Sequence, residues 1–142
     1  MEKINGKTLA RQARDRELLT MFNNVLDEML SAGVPNAWDA ALRFTISHGT
    51  PHYHVSFDRA YRVVSAIVLH GDCPLQENNH REMWREIAER VSALMAVGGL
   101  SVARAVDIVL RECRASRFFI SEPYARRHIY RARHESRRHF AR

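Results

Sequence analysis

The chain has 142 residues, is 46% hydrophobic and 27% charged, and carries a net charge of +6. That is enough chain for one compact domain, and its apolar runs are far shorter than the ~20 residues that a membrane-spanning helix needs. Two cysteines, Cys73 and Cys113, are too few for a disulfide scaffold and read as free thiols, with a single disulfide between them left open. The polar opening Met1–Arg16 is not that of a secretory signal, so a cytoplasmic protein is expected.

From about Lys7 to Ala32 the apolar residues Leu18, Phe22, Val25, Leu26, Met29 and Leu30 recur at three- and four-residue spacing, which predicts a helix. Gly33 supplies its C′ position, Val34-Pro35 stops it, and Asn36 is a candidate N-cap for a second helix over about Ala37–Ser47. That helix presents Trp38, Ala41, Leu42 and Thr45 on one side, and Gly49-Thr50-Pro51 ends it. His52–Val55 reads as a short strand, after which Ser56 caps a third helix to about Leu69. His70–Asn79, with Gly, Pro and Asn and no apolar period, reads as a linker.

Beyond it the same order returns sixty-five positions later. A helix over about His80–Val97 turns Met83, Trp84, Ile87, Val91, Leu94 and Met95 inward, and Gly98-Gly99 stops it. Ser101 caps a helix carrying Ala105, Ile108, Val109 and Leu110 to about Cys113; Arg117–Ile120 reads as a strand, and Ser121 caps a last helix. Ser56/Ser121, Ala60/Ala125 and Arg62/Arg127 are identical across the offset; Tyr53/Phe118, Val55/Ile120 and Val64/Ile129 are conservative pairs.

The fold expected is therefore mainly α, a single domain built by tandem duplication of a helix–helix–short strand–helix unit. Residues 7–69 form one repeat, 70–79 the linker and 80–142 the other. A lone four-residue strand leaves its backbone groups unpaired, so His52–Val55 and Arg117–Ile120 are expected to pair as a small antiparallel ribbon.

Chemistry is sparse. His48, His52, His54, His70 and Cys73 lie close in sequence, but His70-x-x-Cys73 stands without a second tight pair, so no metal site is expected. No nucleophile-elbow, zincin or phosphate-loop motif is present. An enzyme is not expected, nor any catalytic residue or cofactor.

Two features point to nucleic acid. Leu94–Leu110 resembles the turn of a helix-turn-helix reader, with Gly99 and Ser101 between two apolar-spaced helices. In that reading Ser101, Val102, Arg104 and Arg111 face the groove. Met95 stands where close helix crossing asks for a small residue, and a plain antiparallel hairpin is the simpler alternative. The second feature is the placement of charge. Residues 111–142 hold ten arginines against three acids, whereas residues 1–110 hold twelve bases against thirteen acids. From Tyr124 onward Arg126, Arg127, Arg131, Arg133, Arg137 and Arg138 are interleaved with His128, Tyr130, His134 and His139. Cations with aromatics suit phosphate contact and base stacking. The expectation is a nucleic-acid-binding protein using these residues, with Arg104, Arg111, Arg114 and Arg117 extending the surface. The alternative is a helical interaction or assembly module docking an acidic protein partner; a membrane surface is not expected, for want of a broad apolar face.

Overall fold

A computed structural model describes residues 6–48, 52–71 and 78–140, with side chains at 8–48, 52–71 and 80–135. The described residues are all-helical: α1 Gly6–Ser31, α2 Ala37–Ser47, α3 Phe57–His70, α4 Asn78–Gly98, α5 Val102–Glu112 and α6 Glu122–Phe140. No single helix among them is long and apolar enough to cross a membrane.

Local chemistry sets the helix ends. Ser56, Ser101 and Ser121 each accept, through Oγ, the backbone N–H three residues on, at 3.3, 3.3 and 3.2 Å. Each such cap satisfies one orphan donor of a first turn and is worth about 1 kcal/mol. Pro123 is tolerated beside Ser121 because first-turn N–H groups lack an intrahelical partner. At the end of α1, Gly33 takes φ 73° and the Val34 N–H reaches back to the Met29 carbonyl at 3.0 Å, closing the helix by a Schellman turn. Asn36 departs from expectation. It stands before α2 in a left-handed conformation, φ 51° and ψ 44°, and its side chain makes no capping bond. The left-handed glycine after α4 is Gly99, φ 62°, while Gly98 still belongs to the helix.

The chain divides into two compact units, and neither coincides with a half of the sequence. One comprises Met1–Arg11 and Pro51–Ala115; the other comprises Gln12–Thr50 and Ser116–Arg142. In the first, α3, α4 and α5 each pack on the other two. Its interior holds Tyr53, Ala60, Val64, Met83, Trp84, Ile87, Val91, Val106 and Val109. In the second, Leu18, Phe22 and Leu26 of α1 and Ala37, Ala41 and Leu42 of α2 pack with Phe118, Ile120, Ala125 and Ile129. Several buried pairs are sixty-five positions apart: Leu18 and Met83, Phe22 and Ile87, Leu26 and Val91, Tyr53 and Phe118, Ala60 and Ala125, Val64 and Ile129. Within every pair the two residues belong to different units.

The expected helix–helix–strand–helix unit and its ribbon are not formed. Neither His52–Val55 nor Arg117–Ile120 is a strand, and the two segments belong to different units. The backbone requirement that argued for pairing is met in another way for Phe118. Its N–H bonds to the Ile46 carbonyl at the end of α2, 3.1 Å away. Phe118, Phe119 and Ile120 are also buried in succession. A half-buried strand alternates sides at each residue, so this segment is a non-helical plug whose bulky residues fill a helical core. Of the expected linker, His70 ends α3, Gly71 caps it at φ 69° and α4 begins at Asn78; its residues 72–77, including Cys73, lie outside the described residues, as does Gly49-Thr50-Pro51.

Candidate nucleic-acid interface

The rotational phase of α6 follows from two small buried contacts. Ala125 and Ile129 are fully buried, one turn apart, so residues near 100° from that line become flanks and residues opposite it become the outer face.

Arg126 lies on one flank and is held by the body of its own unit. Its guanidinium bonds to Asp39 at 2.8 Å and to Glu122 at 3.0 Å and sits over the Trp38 ring at 5.4 Å. The hydrogen bonds to Asp39 and Glu122 raise its pKa further above the ordinary arginine value. Arg133, two turns on, donates to Asn23 Oδ1 at 2.6 Å and lies over Phe22 at 5.9 Å. On the opposite flank the Tyr124 hydroxyl donates to Asp15 Oδ2 at 2.8 Å, beneath the Arg14 guanidinium. His128 Nδ1 is 4.0 Å from the same carboxylate oxygen. These contacts fasten α6; they leave Arg126 and Arg133 poorly placed to meet an outside anion.

The outer face is different. Arg127, Tyr130, Arg131 and His134 are all exposed or half-buried, Tyr130 at 69% exposure. Arg127 and Arg131 make no ion pair among the described residues. The Tyr130 and His134 rings lie parallel within 1°, with centroids 6.4 Å apart. Glu135, one position past His134 in α6, is also exposed. Arg137 and Arg138 belong to α6, but their side chains lie outside the described residues.

The remaining expected contacts fall elsewhere. Arg117 stacks over Phe119 at 4.5 Å and donates to the Phe118 carbonyl at 3.4 Å, so it braces the plug. Arg104, Arg111 and Arg114 belong to the other unit. There α4 and α5 meet at a bend of 119° across Gly99-Leu100-Ser101. A bend of that size across a three-residue turn falls within the range of short-turn two-helix motifs. Its charges are balanced, however. Arg104 is exposed, Arg111 pairs with Asp107 at 3.0 Å, and Glu112 is exposed beside them. A face with two cations and two acids offers a phosphate backbone little net attraction.

Three further polar groupings occur among the described residues. His48 stacks on Phe44 at 3.6 Å and its Nδ1 meets the Phe44 carbonyl at 2.7 Å, while the His52 and His54 rings are 5.2 Å apart. In the unit of α3, α4 and α5, the buried Tyr53 donates its hydroxyl to Glu86 at 2.5 Å. Arg90 lies over its ring at 5.6 Å and donates to the Arg114 carbonyl. Burial and then the Glu86 carboxylate push the Tyr53 phenol far above its ordinary value, with Arg90 opposing. Tyr124 is shifted the same way, by burial and its bond to Asp15.

A phenol whose pKa is raised on folding contributes stability that is complete below the unfolded value of about 10 and is lost as pH rises past it. The melting temperature should therefore fall as pH rises above about 10, and Tyr53→Phe should flatten that fall. An equally steep decline in the variant, followed by circular dichroism, would count against this assignment.

No family model, curated protein or solved structure matches the chain, so its chemistry rests on its own residues.

Proposed function

We propose that this protein binds nucleic acid without catalysing a reaction on it, and that the contact surface is the outer face of α6. The observation that carries this reading is the division of its arginines. Arg126 and Arg133 are engaged by Asp39, Glu122 and Asn23. Arg127 and Arg131 stand one turn apart on the outer face, with no ion pair among the described residues. Their guanidinium forks match phosphate oxygens in bidentate fashion, and binding releases the counterions condensed on the polymer.

The test is affinity for a mixed-sequence oligonucleotide across a salt series, read by fluorescence anisotropy. The expected result is a straight decline of log K with log salt, and a purified protein whose 260/280 nm absorbance ratio drops after a high-salt wash. Flat, undetectable binding to both DNA and RNA, with capture by a polyacidic peptide instead, would replace this reading with that of a module docking an acidic protein.

A further inference from the structure

Resting on the nucleic-acid reading of α6, we propose that this face takes single-stranded rather than duplex nucleic acid, with a base stacked on the Tyr130–His134 pair and phosphates held by Arg127 and Arg131. Tyr130 is 69% exposed on a helix whose inward positions are already filled by Ala125 and Ile129. A phenol ring so placed contributes nothing to the core, and its solvent-facing π surface is open to a planar partner. The His134 ring is parallel to it within 1° at a centroid separation of 6.4 Å. The two rings thus offer parallel planar faces one helical turn apart on the exposed side of α6.

The arginines match the same register. Arg127 and Arg131 are four residues apart on the helix, about 6 Å along its axis, which suits neighbouring phosphates of an extended strand. They alternate with the rings in the order cation, ring, cation, ring along one side of the helix.

Duplex binding would leave this arrangement unused. Paired bases are stacked on one another and show only their edges in the grooves, so exposed rings on the helix would find no base face. The described outer face also lacks Asn and Gln, which read adenine edges in the major groove. Single strands expose base faces, and stacking on aromatic side chains is tolerant of sequence because every base has one.

The experiment compares anisotropy of labelled oligothymidylate, oligouridylate and a DNA hairpin duplex with the wild-type protein and with Tyr130→Ala, Tyr130→Phe and the double variant Arg127→Gln/Arg131→Gln. Tyr130→Ala should weaken binding to both single strands by about tenfold or more while leaving the duplex affinity nearly unchanged. Tyr130→Phe, which keeps the ring, should stay close to wild type. The double arginine variant should weaken all three. If Tyr130→Ala leaves single-strand affinity intact while the arginine variant lowers it, stacking is overturned and the charge-based reading survives. If the wild type binds none of the three polymers in a salt-dependent manner, both fall together. Thermal melts of each variant confirm folding, and an exposed position such as Tyr130 should leave them unchanged.

Discussion

Phe118→Ala is expected to remove about 3–5 kcal/mol of folding stability, the usual cost of truncating a buried phenylalanine. Phe118 is only 1% exposed and packs with Leu18, Phe22, Leu26, Leu42, Ala125 and Ile129. Its backbone N–H also ties the plug to the end of α2 through the Ile46 carbonyl. Truncation opens a cavity in a helical core that has no strand ladder to hold the segment in place, so collapse around the gap is the only relief. A loss of this size is a large part of the 5–15 kcal/mol typical of a whole domain. Urea unfolding followed by circular dichroism should show a lower midpoint. The Tyr130→Ala variant, altered at an exposed site, should stay within about 0.5 kcal/mol of wild type. A Phe118→Ala protein weaker by less than about 1 kcal/mol would mean that the plug is not part of the core.

The second large effect separates cations that hold the fold from cations that meet a ligand. Arg127→Gln/Arg131→Gln should make the salt dependence of single-strand binding shallower by about 1.4 in log–log slope, at roughly 0.7 for each phosphate that is no longer neutralised. Its melting temperature should stay near that of wild type, because neither side chain has an ion-pair partner among the described residues. Arg126→Gln/Arg133→Gln should behave in the opposite way. It breaks the bonds to Asp39, Glu122 and Asn23 and uncovers Trp38 and Phe22. The melting temperature should then drop while the salt slope stays almost the same. Replacing all four arginines at once would merge the two effects and make loss of binding uninterpretable.

How far the sequence could be read depended on whether the deciding partner was local. Helix ends were legible because their causes lie within a few residues: Ser56, Ser101 and Ser121 accept from donors three positions on, and Gly33 is followed by Val34-Pro35. The extended segments read as strands because Phe118, Phe119 and Ile120 are residues of strand type. That preference reports fit to a buried surface more than an intrinsic backbone tendency, and here the surface is helical. What closes the backbone is Ile46, seventy-two positions earlier.

The candidate interface shows the same limit. The excess of arginine near the C-terminus was plain from composition, but the sequence alone grouped Arg126 and Arg133 with Arg127 and Arg131. Nothing local announces that Asp39 and Asn23, 87 and 110 positions away, engage Arg126 and Arg133. The stacked pair Tyr130 and His134 was visible as an aromatic interleaving, but its parallel geometry depends on the helix being continuous through both residues. The units formed by Met1–Arg11 with Pro51–Ala115 and by Gln12–Thr50 with Ser116–Arg142 were not foreseeable. Periodicity defines which face of a helix is apolar and leaves open which other helix covers it.

The most direct test of the outer face of α6 as the contact surface is a titration of isotope-labelled protein with oligothymidylate, followed through backbone amide shifts. The largest changes should fall at Arg127, Tyr130, Arg131 and His134 and weaken as salt is raised. Changes centred instead on Arg104 and Arg111 of α5, or none at saturating oligonucleotide, would contradict it.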